Sequence, residues 1–132
     1  MIDTVHPAGL VGVRVVDEGG APRLERAWEY PSFADPEARS RFRRHPGGVA
    51  LVEHDGVSHV VVVEQGQLGV ENGVLHVVRA ADGALATRAS LRGPGQRYAV
   101  PLAIDDRLFV PSCDQGNAGP GRIEAWDLGV VP

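Results

Sequence analysis

The alternation of apolar and polar positions along the chain predicts short strands joined by tight turns. Nine segments are rich in β-branched or other apolar residues, and we predict strands near 10–16, 24–30, 48–53, 58–64, 74–79, 85–91, 98–104, 107–112 and 122–127. Several turns between them carry glycine and aspartate, which tolerate the positive φ of hairpins, at Gly19-Gly20, Asp55-Gly56, Asp82-Gly83 and Asp105-Asp106. The pattern predicts an all-β chain of antiparallel strands.

Two of these strands have patterns that predict their surroundings. The run Val60-Val61-Val62-Val63 is continuously apolar, whereas a strand with one wet face alternates, so we expect both of its faces to be covered by other sheets. Residues 24–30 alternate more, and the pattern predicts Leu24, Trp28 and Tyr30 on one side of an outer or edge strand.

The segment 31–47 departs from the strand pattern. Asp35 is a suitable N-cap, Pro36 suits the first helical position, and Glu37 suits the first turn. The prolines and glycines after His45 end the segment. The sequence therefore predicts one short helix near 36–44, inserted between strands.

Internal similarity indicates that the strands belong to a repeated unit. Residues 49–66 align with residues 99–116 at an offset of 50 without a gap, so that Asp55 matches Asp105 and Val60 matches Val110. A two-residue deletion then places 73–75 over 121–123, and a second comparison places Gly9 over Gly73. We interpret the chain as copies of one β-unit.

Composition and charge narrow the class of protein. The 132 residues suffice for one domain, and the 43% apolar and 23% charged fractions are ordinary for a globular chain. The net charge is −4, so no general attraction to nucleic acid or anionic membrane is expected. The single cysteine, Cys113, excludes an internal disulfide, and no apolar run reaches the length of a membrane helix.

Three stretches resemble the repeat of pyrroloquinoline-quinone-type β-propellers, which runs roughly "YALDAATGKVLWR". The stretch 76-HVVRAADGALATR-88 resembles it without a gap, and 121-GRIEAWDL-128 resembles a first half of the form "GRLYALDL". Residues 10–31 look like a lengthened copy that keeps the tryptophan of the motif as Trp28. The resemblance covers most of the chain except 31–47.

This resemblance implies four-stranded antiparallel blades stacked around a central axis. Residues 1–132 would then form a single repeat-built β domain, with a partial blade at 10–30, a full blade at 48–91 and a partial blade at 98–127. The total is about two blades, so the chain would be a piece of a propeller, or a subunit that associates to complete one. The family also implies a periplasmic or secreted setting.

The chain departs from the family where chemistry is concerned. The tryptophan that docks one blade on the next is Thr87 in the middle copy, and the aspartate of the motif is Arg79 there. The quinone-binding enzymes carry adjacent cysteines, calcium-binding carboxylates and a catalytic aspartate, for which no matching positions are found. The resemblance therefore implies a fold without an activity, and we assign no catalytic, cofactor-binding or metal-binding residue.

The remaining candidates for chemistry each have an ordinary interpretation that we favour. Cys113 neighbours Asp114, which does not promote a thiolate, and Asp114, Gln115 and Asn117 match no complete calcium loop. The histidines show no zinc-binding spacing, although two of them should flank one hairpin turn; the four considered are His45, His54, His59 and His76. A basic cluster on the predicted helix suits a solvated face better than a phosphate site: Arg39, Arg41, Arg43 and Arg44.

The sequence thus predicts a non-catalytic β-propeller-type segment that acts as a binding or scaffolding module. Its expected partner is protein, through self-association or the remaining blades of a longer chain, with no nucleic acid and no membrane insertion. Two alternatives remain at this point. The chain could be a fragment of a quinoprotein dehydrogenase-like enzyme whose active-site blades lie elsewhere, or a small β-sandwich that binds a partner protein.

Overall fold

The computed structural model describes residues 9–31, 48–66, 71–94, 100–113 and 121–129. All regular structure in these ranges is β-strand, as predicted: β1 (Leu10–Asp17), β2 (Pro22–Tyr30), β3 (Ala50–His54), β4 (Val57–Glu64), β5 (Val74–Arg79), β6 (Leu85–Ser90), β7 (Leu102–Ile104), β8 (Arg107–Cys113) and β9 (Gly121–Asp127). The helix predicted near 36–44 lies outside the described residues. No helix able to cross a membrane occurs in the parts of the chain that the structure describes.

The strands form three antiparallel sheets in chain order. The first sheet pairs β1 with β2, the second has the order β3-β4-β5-β6, and the third has the order β7-β8-β9. Within each sheet, strands that are consecutive in the chain are hydrogen-bonded neighbours. The all-β, antiparallel prediction is therefore confirmed for the described residues.

The second and third sheets begin with the same hairpin. His54 pairs with Val57 across Asp55-Gly56, and fifty residues later Ile104 pairs with Arg107 across Asp105-Asp106. Asp55 and Asp105 both adopt positive φ, at 50° and 51°. A short polar side chain tolerates this conformation better than a β-branched one, so the repeat at offset 50 has a structural basis in the turn.

The first and second sheets contain the same kind of register shift, and this shift shows which residues of β1 and β2 correspond to residues of β5 and β6. β1 and β2 shift register between Gly12 and Val13, and β5 and β6 shift between Val77 and Val78. The residue before each shift pairs with Trp28 in the first sheet and with Thr87 in the second. Trp28 and Thr87 therefore occupy equivalent places, and Val77 follows its equivalent Gly12 by 65 residues rather than by the 64 that separate Gly9 from Gly73.

The shift also corrects one prediction about β2. Leu24 was expected on the side of Trp28 and Tyr30, but it pairs with Val15 and is 72% exposed. The bulge adds one residue to β2, so the β2 side chains on the Leu24 side of the bulge point to the face opposite to the one that strict alternation predicts. Trp28 and Tyr30 lie on the half-buried face, while Leu24 lies on the opposite one.

The hydrophobic core lies between the second and third sheets, with a second covered layer between the first and second. Valines of β4 are buried on both faces, since Val61 and Val62 are both 0% exposed, and this confirms the prediction for the continuous run. The second sheet contributes Val52, Val61, Val63, Leu75 and Val77 to the core cluster, and the chain beyond adds Leu91, Leu108, Val110 and Leu128. The second sheet is thus covered on both sides.

Candidate functional site

The interface between the first and second sheets is organised by Trp28. Its indole lies against Gly12 on its own sheet and Gly83 on the turn between β5 and β6. A Cβ added to Gly83 would lie 2.5 Å from Trp28 Cε3, so only glycine permits this approach. The indole Nε1–H donates to the carbonyl of Ala80 at 2.9 Å. One aromatic side chain therefore docks the first sheet on a turn of the second.

An ion pair supports the turn that receives Trp28. Arg79 Nε donates to Asp82 Oδ1 at 2.8 Å, and the amide of Ala84 donates to the same oxygen at 3.1 Å. These hydrogen bonds, led by the one from Arg79, lower the pKa of Asp82 to about 2. Arg79, the position where the family motif has aspartate, therefore fixes the turn through Asp82.

A chain of polar side chains crosses the same interface beside Trp28. The Tyr30 hydroxyl lies 2.9 Å from His76 Nδ1, and His76 Nε2 lies 2.8 Å from Glu64 Oε2. Each ring nitrogen of His76 thus makes one hydrogen bond, Nδ1 with the hydroxyl and Nε2 with the carboxylate. The three groups thus satisfy one another, as buried polar groups must.

Burial determines what these three polar side chains can do chemically. His76 is only 3% exposed, and Tyr30 meets it edge to face with ring centroids 5.7 Å apart. Burial raises the pKa of Tyr30 above its ordinary value, nearby Arg88 opposes the rise, and Glu64 adds to it. Since His76 on β5 is buried and Tyr30 lies on β2, these side chains link the first and second sheets.

The interface between the second and third sheets is built differently. Thr87 stands where the first sheet has Trp28, and Val77 stands where it has Gly12. On the facing sheet the amide of Leu128 bonds to Asp106 O, as the amide of Ala80 bonds to Ser58 O, each at 2.8 Å. Leu128 thus follows β9 directly, as Ala80 follows β5.

This second interface contains a cavity of about 150 Å³. Its walls are mainly apolar and come from Val52, Val61 and Val77 on the second sheet and Leu128 beyond the third. Three half-buried polar side chains also line it, and they are His54, His59 and Thr87. His54 and His59 flank the hairpin turn between β3 and β4, as predicted. Both lie on the face of the second sheet that turns toward the third.

The third sheet buries a carboxylate at its interface. Glu124 is 7% exposed, and its two oxygens accept the backbone amide of Arg92 at 2.9 and 3.0 Å. The indole Nε1–H of Trp126, two residues along the same face of β9, is buried and makes no hydrogen bond to the described residues. Glu124 therefore ties the loop after β6 to the third sheet.

The other sequence candidates fall in several places. Cys113 ends β8, where its backbone pairs with Gly121. Asp114, Gln115 and Asn117, which were considered as calcium ligands and set aside, lie outside the described residues, as do His45 and the basic cluster. Among the residues that are described, no three His, Cys, Asp or Glu side chains form a metal-binding group.

Sequence reasoning missed the polar groups at the interfaces. His76 was considered only as a metal ligand, and neither Glu64 nor Glu124 was singled out. The available signal was the presence of His76 inside an otherwise apolar strand and of Glu124 one residue after an isoleucine. Such residues are buried only where a partner satisfies them.

Comparison with protein-family models, with curated proteins and with solved structures found no match for this chain.

Proposed function

We propose that this chain is a non-catalytic segment of a β-propeller with quinoprotein-like repeats, and that it serves as a binding or scaffolding module for protein. The observation that carries the proposal is the order in which the three sheets pack. β2 docks through Trp28 on the turn between β5 and β6, while β3 lies beside β7. Outer strands thus meet outer strands and inner strands meet inner strands, as in blades arranged around an axis.

The docking by Trp28 supports the same proposal. In the family that the repeat resembles, the tryptophan of the motif docks one blade on the next. Here the tryptophan of the first copy packs on the turn of the second copy, against Gly83 and Ala80. The sheets contain two, four and three strands, which agrees with a partial, a full and a partial blade.

Both ends of the stack present apolar side chains to solvent. We define the β1 face by Val11, Val13, Val15 and Leu24, which are 49–72% exposed. We define the β9 face by Leu102, Ile104 and Ile123, which are 51–71% exposed. Contiguous exposed apolar groups are typical of protein-binding surfaces. In a propeller each of these faces would be covered by a neighbouring blade.

The edge of the third sheet offers a further site for protein. Within the described residues β9 pairs only with β8, whereas its counterpart β5 has β6 on its other side. An unpaired edge strand provides backbone donors and acceptors to an added strand. This favours a partner that supplies β-structure, such as a second copy of the chain.

Light scattering of the purified chain tests the proposal. Over a roughly hundredfold range of protein concentration, the mean mass should rise, because association of open blade stacks follows mass action. The variants Val13→Glu and Ile123→Glu each place a charge on one end face and should each reduce association. Arg23→Ala, an exposed change outside both faces, serves as the matched control.

Mixing the two charged variants makes the test sharper. If copies associate head to tail, each variant keeps one intact face, so the mixture should form a heterodimer that neither variant forms alone. A chain that stays monomeric throughout the concentration range would contradict the proposal and favour the small β-sandwich. Association that neither charge reduces would contradict the assignment of the faces.

A further inference from the structure

The cavity between the second and third sheets lies at the position that Trp28 fills at the interface between the first and second sheets. At the first interface Gly12 leaves room for Trp28, and the indole packs on the next sheet. At the second interface the equivalent pair is Val77 and Thr87. Leu128 lines the same interface, and a space of about 150 Å³ remains there.

The size and lining of this cavity define what it can hold. A volume of roughly 150 Å³ is enough for a benzene-sized molecule. Here the walls from Val52, Val61, Val77 and Leu128 are aliphatic, which suits the faces and edges of one aromatic ring. A larger ring system would have to displace the two sheets.

The polar side chains that line the cavity favour a ligand with one hydrogen-bonding group. His59 lines the cavity and makes no hydrogen bond or ion pair within the described part of the chain. His54 is already near two carboxylates, with Asp55 at 3.5 Å and Asp106 at 3.7 Å. Those carboxylates disfavour an anionic ligand, so the hydrogen-bonding group should be uncharged.

We propose that this cavity is a binding site for a small, uncharged, monocyclic aromatic molecule bearing a hydroxyl, with the ring against Val61, Val77 and Leu128 and the hydroxyl on His59. A phenolic hydroxyl both donates and accepts, so it matches either tautomer of the imidazole. Thr87 and His59, which line the cavity, are both half-buried. The site depends on the sheet interface alone and not on the propeller assignment.

Titration of the full chain with phenol and with benzene, followed by the methyl resonances of Val61, Val77 and Leu128, tests the proposal. We expect saturable shifts with a dissociation constant of millimolar order or below. Phenol should bind about three- to tenfold more tightly than benzene, the gain from one neutral hydrogen bond. Absence of saturation, or equal affinity for the two probes, would overturn the proposal.

Two variants locate the site, and a third controls for general effects. Thr87→Leu should fill the cavity and weaken both probes by tenfold or more. His59→Phe keeps a ring at the rim, so it should remove the advantage of phenol and leave benzene binding intact. Leu85→Ala, on the same strand as Thr87 but 48% exposed, should change neither affinity.

The double variant Val77→Gly/Thr87→Trp recreates the Gly12 and Trp28 pair at the second interface. It should retain the circular dichroism of a β protein and lose binding of both probes. Unchanged binding in both Thr87→Leu and the double variant would show that the probes bind elsewhere and would overturn the proposal. Failure of light-scattering association, in contrast, would bear only on the propeller and scaffolding proposal.

Discussion

Replacement of Trp28 by alanine tests how much the docking of the first sheet stabilises the fold. The indole is half-buried between Gly12 and Gly83, and its Nε1–H bonds to Ala80 O at 2.9 Å. Truncation of a fully buried Trp costs about 3–5 kcal/mol, so partial exposure lowers the packing loss here to about 2 kcal/mol. The lost hydrogen bond adds about 1 kcal/mol. We expect Trp28→Ala to lose about 3 kcal/mol.

Urea unfolding followed by far-ultraviolet circular dichroism measures this loss without relying on the fluorescence of the residue removed. A loss of about 3 kcal/mol is a large part of the 5–15 kcal/mol that holds a small domain folded, and it should lower the urea midpoint by roughly 1–2 M. Arg23→Ala on the same strand, where the side chain is 53% exposed, should change stability by less than about 0.5 kcal/mol.

Trp28→Phe separates packing from hydrogen bonding. A phenyl ring keeps part of the contact with Gly83 but cannot donate to Ala80, so the loss should be about 1–2 kcal/mol. A loss below about 1 kcal/mol in Trp28→Ala would refute the view that this residue docks the first sheet.

Three further predictions concern the first interface. Because the pKa of Asp82 is lowered to about 2, its pairing with Arg79 should add stability above about pH 4 that is lost as pH falls toward 2; Asp82→Asn should abolish this acid dependence in thermal melts. Replacing His76 by Phe removes the hydrogen bonds from its two ring nitrogens to the Tyr30 hydroxyl and to Glu64 Oε2, so urea unfolding should show a loss of about 2–4 kcal/mol, against about 1 kcal/mol for Tyr30→Phe. Since burial raises the pKa of Tyr30, the midpoint of its ultraviolet titration should lie above the ordinary value for tyrosine, and Tyr30→Phe should remove that step.

The strand pattern could be predicted from the sequence because it depends on short-range rules. A few neighbouring residues are enough to recognise an apolar run, an aspartate or glycine turn, or the continuous valines of β4. The equal turns at Asp55 and Asp105 were visible as a repeat for the same reason. The place of Trp28 could be anticipated only through the family resemblance.

The features of the interfaces could not be predicted in the same way. The face of the sheet on which Leu24 lies depends on the bulge between Gly12 and Val13, and no single residue of the sequence indicates that bulge. The cavity depends on the cross-strand pairing of Val77 with Thr87, and on the facing of Leu128 from another sheet. These are relations between strands distant in the chain, and the sequence specifies them only through the completed packing.

Nuclear Overhauser contacts between sheets test the central claim most directly. The account predicts contacts from the Trp28 indole to the α protons of Gly83 at the outer strands, and from the methyls of Val52 to those of Ala103 and Leu108 at the inner strands, in one spectrum of the full chain. A spectrum with the hairpins formed but with neither set of contacts between sheets would contradict it.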